Sequence, residues 1–183
     1  MPDMVREAIF NLLRGHTEGQ AVLDAFAGTG TMGLEAASRG AARVVFVERD
    51  RRVTRLLDQN IADLGLEDRC EVVSGDALGP GAWSRCPKPV HLVFFDPPYA
   101  LVRDEDGWVR TKRAFARLVG LLDPEGYGVL RTPCPFERVD EGGHHTPVDL
   151  SIEGAIGPET HDYGSTAVHL YMRDPGDGPG TGS

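Results

Sequence analysis

The stretch Val22-Leu23-Asp24-Ala25-Phe26-Ala27-Gly28-Thr29-Gly30-Thr31-Met32-Gly33 narrows the possible folds more than any other part of this chain. An apolar run passes into a glycine-rich turn and then into the amphipathic segment Met32 to Ser38. That is a strand, a turn and a helix in the order used to bind nucleotide-type cofactors. Gly28 and Gly30 are free to take positive φ and let a ligand approach the backbone, while the first amides of the following helix face it.

The same rhythm runs on downstream. Ahead of the first strand, Val5, Ala8, Ile9, Leu12 and Leu13 make the stripe of a helix over Met4 to Leu13, with Asp3 as its N-cap and Gly15 as its stop. Ala42 to Val47 reads as the second strand and ends in Glu48. Val53, Leu56, Leu57, Ile61 and Leu64 form the buried face of a second long helix, which Gly65 ends. Cys70 to Ser74 is the third strand, Ala82 to Arg85 a short helical or irregular piece, and Val90 to Phe95 the fourth strand. Residues 100 to 108 read as a polar loop. Phe115, Leu118, Val119 and Leu122 mark a further helix, Asp123 to Gly126 a turn, and Tyr127 to Arg131 the fifth strand. The alternation then stops, and Asp149 to Ile156 with Thr166 to Met172 read as an antiparallel pair closing one edge. The fold expected is α/β: a doubly wound, mostly parallel, Rossmann-like sheet of seven strands with helices on both faces. Residues 1–173 are expected to form a single domain. The Pro-, Gly- and Asp-rich Asp174 to Ser183 is expected to be a disordered tail.

At 183 residues and 40% apolar content the chain can bury a sizeable core. No apolar run approaches the roughly 20 residues of a membrane span, and no signal-peptide pattern opens the chain, so the expected location is the cytoplasm. Cys70, Cys86 and Cys134 lack metal-type spacing and read as reduced structural thiols, with no metal expected. The net charge of −9 argues against a nucleic-acid partner until its distribution is read. Residues 1–117 carry 16 basic and 17 acidic side chains, whereas residues 118–183 carry 3 and 11, so the half that holds the motifs is near neutral. Arg103, Arg110, Lys112, Arg113 and Arg117 are candidates for phosphate contact, or for a solvated helix face.

Asp96-Pro97-Pro98-Tyr99, directly after the fourth strand, sets a carboxylate, a rigid turn with a free carbonyl and a stacking face at one spot. It suits a flat substrate that bears an amine. Gly28, Gly30 and Gly33 with Glu48 also satisfy the dinucleotide fingerprint, so a nicotinamide cofactor is a competing reading. Two features point elsewhere. Asp24, within the strand four residues before Gly28, can hold the cationic amine of an amino-acid-bearing cofactor, which a dinucleotide lacks. Asp76, in Gly75-Asp76-Ala77, can accept from an exocyclic adenine amine.

This set resembles the class I S-adenosylmethionine-dependent methyltransferases. The resemblance implies that Asp24, Phe26 and the Gly28-Thr29-Gly30 loop hold the methionine part, Glu48 and Arg49 the ribose side, and Asp76 with Ala77 the adenine. Asp96, Pro97, Pro98 and Tyr99 match the turn of enzymes that methylate exocyclic amines of bases. More narrowly, Val5-Arg6-Glu7 with Phe10-Asn11, the Phe-Ala-Gly-Thr-Gly turn, Leu34-Glu35-Ala36 through Arg39-Gly40-Ala41, Glu48-x-Asp50, and Tyr163-Gly164-Ser165-Thr166 resemble the bacterial 16S rRNA guanine-N2 methyltransferases, the RsmD-like group. That implies rRNA or the small ribosomal subunit as partner, with a monomer as the default state. Members usually begin with a basic, glycine-containing stretch before the Val-Arg-Glu segment, which is not found here. Either a different substrate or a truncated start is then expected.

The implied chemistry is in-line displacement, with the amine hydrogens held by the Asp96 carboxylate and the Pro97 carbonyl so that the lone pair meets the methyl. Tyr99 is expected to stack on the base. A DNA amino-methyltransferase and a catalytically idle S-adenosylmethionine- or nucleotide-binding module are the alternatives. Asp24, Glu48 and Asp76 could instead cap neighbouring helices. Arg6 and Asn11 are candidates for tying the first helix to the sheet, Asn11 also for the cofactor mouth, and Trp108 for the substrate cleft. Phe10 reads as core, and His144, His145, His161 and His169 as surface residues.

Overall fold

The computed structural model describes residues 2–176. Helix α1 (Asp3–Leu12) leads to β1 (Ala21–Ala25), α2 (Thr31–Ser38), β2 (Arg43–Glu48), α3 (Arg51–Asp63), β3 (Cys70–Ser74), α4 (Pro80–Arg85) and β4 (Val90–Phe95). There follow α5 (Tyr99–Arg103), α6 (Glu105–Val119), β5 (Leu122–Pro133), a hairpin of β6 (Glu137–Val139) and β7 (His145–Pro147), then β8 (Ala155–Tyr163) and β9 (Thr166–Arg173). Seven strands form one sheet in the order β3-β2-β1-β4-β5-β9-β8. The first five are parallel, and β9 runs antiparallel to both its neighbours. Sequence order reverses between β1 and β4, where Ala25 pairs with Phe95, and ligands of open α/β sheets bind at such a point.

Strand alternation divides the core between the two faces. Leu23, Val45 and Phe95 face the cluster that holds Phe115 and Leu118 of α6, with Tyr171 of β9. Val22, Phe46 and Phe94 face the one that holds Ile9 of α1, Met32 of α2 and Leu57 of α3. The central strands are buried on both sides, which is why they read as continuous apolar runs.

Several expectations are corrected. Asp3 lies inside α1 and caps nothing with its side chain; Pro2 holds the N-cap position. In α3 only Leu57 and Ile61 are buried, while Leu56 and Leu64 are half or more exposed, because this helix packs on the sheet over a narrow stripe. Residues 100 to 108 are not a loop. They hold α5 and the start of α6, where the Asp104 side chain caps by accepting from the Gly107 N–H at 2.7 Å. Leu122 begins a strand instead of ending a helix, and β5 runs through the expected turn with a register shift opposite Val90 and Leu92. The first strand of the closing pair begins at Ala155, not Asp149. The β6-β7 hairpin was not foreseen. From residue 177 on, the expected tail lies outside the described residues.

His169 is buried rather than on the surface. It lies on β9 between β5 and β8, and both ring nitrogens are matched, by Thr132 Oγ1 at 2.8 Å and Thr160 Oγ1 at 2.9 Å. Burial pushes its pKa down to about 4. At the amino ends of the parallel strands, His91 is likewise buried between Asp123 (2.8 Å) and His16 (3.0 Å). The three cysteines are free, and burial raises their thiol pKa values, Cys70 to about 11 and Cys86 to about 12. Among the described residues no helix is long and apolar enough to cross a membrane, and no group of three acidic, His or Cys side chains is placed to hold a metal.

Candidate active site

The carboxyl ends of β1, β2, β3 and β4 open into a cleft with two adjoining chambers. The larger, about 490 Å3, is bordered by Glu48, Arg49, Asp76, Ala77, Pro97 and Pro98, among others, with Arg110 and Arg131 on its rim. The smaller, about 180 Å3, is bordered by Asp24, Gly28, Thr29 and Met32. Phe26 and Asp96 border both. The first volume lies within the usual range of small-molecule sites.

The glycine turn is shaped as the sequence requires. Gly28 and Gly30 have φ of +56° and +90°. A Cβ at Gly30 would stand 2.4 Å from Leu57 Cδ1, and one at Gly33 would stand 2.2 Å from the Phe46 ring, so α2 lies directly on its neighbours. Phe26 is the one non-glycine residue of positive φ among the described residues, at +70°, a conformation that costs energy and that the packing of its ring against Phe95 holds in place.

The acids are engaged locally. Asp24, 2% exposed, accepts from the Gly33 N–H at 2.8 Å. Glu48 accepts from Gly28 N–H at 3.0 Å and from Asp50 N–H at 2.8 Å, which ties the glycine turn to the end of β2. Asp76 accepts from Leu78 N–H at 3.0 Å. These are capping bonds, yet a carboxylate oxygen that accepts one hydrogen bond keeps the capacity for a second. Burial drives the Asp24 pKa up to about 7, the Gly33 N–H opposes this, and the charges of Asp96 and Glu48 add to the rise.

Arg131, at the carboxyl half of β5, received no role from the sequence. Its Nε donates to Asp96 Oδ1 at 2.5 Å and its guanidinium reaches Tyr99 Oη at 3.1 Å. Tyr99 Oη is also 2.5 Å from Thr166 Oγ1, which donates to the Thr132 carbonyl at 3.1 Å. A cation closing the apolar run Val129-Leu130, one strand over from Asp96, was the available signal. Tyr99 is not among the residues that border the cleft; Arg131 stands 5.0 Å and Arg103 5.8 Å from its ring centroid, where a stacked base was expected.

Other candidates lie elsewhere. Trp108 is buried against Phe136, outside the cleft. Arg6 ties α1 to α2 rather than to the sheet, pairing with Asp3 at 2.9 Å and standing 3.6 Å from Glu35. Asn11 is exposed and borders a shallow hollow with Arg14 and Glu18, separate from the cleft. Phe10 is core, as expected.

A sheet of this order, with a glycine turn after β1 and an acidic turn after β4, has the class I methyltransferase fold. The family model described as "Conserved hypothetical protein 95" matches residues 1–126. The ribosomal RNA small subunit methyltransferase D of Escherichia coli strain K12 is 40% identical over 173 residues, covering 94% of this chain and 78% of the relative. A Bacillus subtilis protein named "Putative rRNA methyltransferase YlbH" is 36% identical over 179 residues, covering 93% and 85%. Among solved structures, "Putative methyltransferase yhhF from Escherichia coli" superposes with a TM-score of 0.72 at 28% identity, over 94% of this chain and 85% of that one. The chain belongs to this family, the RsmD-like methyltransferases.

Proposed function

We propose that this protein transfers a methyl group from S-adenosylmethionine to an exocyclic amine of an RNA base, guanine N2 in 16S rRNA, as a cytoplasmic enzyme. One observation carries the reading: Asp24 and Asp96, at the ends of neighbouring strands, border one chamber together with the glycine turn, and Arg131 pairs with Asp96 alone. Two carboxyl groups there suit a ligand that carries an ammonium and a sulfonium better than they suit the pyrophosphate of a dinucleotide. The names of the rRNA methyltransferase relatives support the RNA assignment.

The residues present fit that cofactor. Asp24 and the Gly28 to Gly30 backbone would hold its amino-acid end, Glu48 has acceptor capacity for a ribose diol, and Asp76 with Ala77 has it for the adenine edge. When bound, S-adenosylmethionine supplies an electrophilic methyl group on a positively charged sulfur. The protein's part is alignment and exclusion of water. Asp96 keeps Oδ2 free while Oδ1 is held by Arg131, so it can accept one amine hydrogen in a fixed direction. The Pro97 carbonyl, in a turn that two prolines stiffen, would accept the other. With both hydrogens held, the nitrogen lone pair is withdrawn from the ring and directed along the transfer line. Asp96 Oδ2 would also receive the proton released as the N–C bond forms and the S–C bond to the sulfonium breaks. Tyr99 and Thr166 act as positioning residues, fixing Arg131 from behind.

Calorimetry tests the cofactor and labelled-methyl transfer the substrate. The reading expects S-adenosylmethionine to bind, NAD not to, and label to enter 16S rRNA or small subunits. Binding of NAD alone, or label in DNA alone, contradicts it.

A further inference from the structure

The segment that follows the Asp96 turn is rich in cations that the protein does not use internally. Lys112 pairs with Asp149 at 2.7 Å and Arg131 with Asp96, whereas Arg110, Arg113 and Arg117 of α6 are exposed and form no ion pair among the described residues. At positions i, i+3 and i+7 they fall within about 60° of one another around the helix and span about 10 Å along it. The stripe is continuous with the cleft. Arg110 borders the larger chamber, and Arg113 and Arg117, three and seven residues further along the helix, border a groove of about 640 Å3 with the exposed Val109. Arg117 is steadied by the Trp83 ring, whose centroid lies 4.3 Å from its guanidinium carbon. Acids nearby are Asp106, one turn before Arg110, Glu153 at the groove, and Glu48, Asp50, Asp76 and Asp96 of the chamber that Arg110 borders, and among the described residues none pairs with these arginines. The other arginine run, Arg51, Arg52 and Arg55 on α3, begins beyond Glu48, on the opposite side from the Asp96 turn; Arg51 and Arg55 border a hollow with Ser74.

We propose that Arg110, Arg113 and Arg117 form a phosphate track that holds the RNA strand flanking the target base and leads it into the cleft. The proposal rests on the reading of the chain as an RNA base methyltransferase. A base whose chemistry takes place beside Asp96 must leave its stack, so the flanking backbone needs a hold just outside the chamber. Arginines one to two helical turns apart, with no ion pair among the described residues, provide it without reading sequence.

The test compares methyl transfer to full-length 16S rRNA with transfer to a guanine-containing trinucleotide, across a salt series. For Arg113→Gln/Arg117→Gln, KM for the long RNA is expected to rise about tenfold with kcat unchanged, and the trinucleotide to be unaffected. The slope of log KM against log salt is expected to fall by about 1.4, from about 0.7 per single-strand phosphate contact. Arg113→Lys/Arg117→Lys, which keeps the charge, should retain most of the slope. An unchanged KM and slope in the glutamine variant, or an equal loss in Arg51→Gln/Arg55→Gln, overturns the track while leaving the enzyme reading standing. A wild type that methylates neither these RNAs nor small ribosomal subunits overturns both.

Discussion

Arg131 Nε lies 2.5 Å from Asp96 Oδ1, so the carboxylate at the centre of the cleft is held by a cation that arrives from the next strand of the sheet. Both side chains are about one-fifth exposed, which makes the pair stronger than a surface bridge and leaves it within reach of a ligand. If this contact aims Asp96 at the amine, removing the fork should slow transfer more than it weakens binding. Arg131→Gln is expected to lower kcat about 100-fold with KM changed little. Arg131→Lys should restore part of kcat, since it returns the charge without the planar geometry. Steady-state kinetics on rRNA check both.

Asp96 itself should be dispensable for holding the cofactor. Asp96→Ala is predicted to reduce kcat by 100-fold or more, about the range of a lost proton acceptor, with S-adenosylmethionine affinity kept within a few-fold by calorimetry.

The raised pKa of Asp24 gives a pH signature to cofactor binding. An ammonium group pairs with the carboxylate, not the carboxylic acid, so affinity should increase as pH rises through about 7 and level off above it. Asp24→Asn is expected to bind less tightly at pH 8 and to lose this dependence. In the free protein the sign for stability is opposite. A carboxyl group whose folded pKa lies above its unfolded value of 3.8 stabilises the fold fully below pH 3.8, and that contribution is lost as pH rises to about 7. Thermal melts from pH 5 to 8 should show Asp24→Asn gaining on the wild type toward the alkaline end.

His169 acts at the other end of the scale. Its folded pKa of about 4 lies below the unfolded 6.5, so its contribution is present above pH 6.5 and is lost as pH falls toward 4. Acid unfolding between pH 6 and 4 should therefore be less steep in His169→Gln, measured by circular dichroism.

Gly33→Ala is predicted to destabilise the fold by about 1 to 3 kcal/mol, because the added methyl meets the Phe46 ring within van der Waals distance. Denaturant melts compare it with Gly28→Ala, where nothing lies within 4 Å of the new methyl and the cost comes from positive φ alone.

What could be read in the sequence follows from how local each signal is. Val90 to Phe95 was delimited correctly because an apolar strand buried on both faces ends abruptly at Asp96 and two prolines, and Cys70 to Ser74 because its short apolar run stops at Gly75-Asp76. The Gly28 and Asp96 turns declared themselves through residues that only special backbone positions require. The region of α5 and α6 was misread because exposed helical turns carry polar side chains, as loops do. Ala155 to Tyr163 was misplaced because an edge strand buries few residues and loses its alternation. Arg131 and His169 were missed for a different reason. Their partners, Asp96 at 35 residues' separation and Thr132 at 37, come together only through strand order, which no local pattern encodes.

The central claim is that the cleft methylates an exocyclic amine held by Asp96, and the most direct measurement identifies the product. Unmethylated 16S rRNA is incubated with labelled S-adenosylmethionine and either wild type or Asp96→Ala, then digested to nucleosides and separated. The account predicts label in N2-methylguanosine with wild type and at least 100-fold less with the variant. Label on a ring nitrogen, a carbon or a ribose oxygen, or equal labelling by the variant, would contradict it.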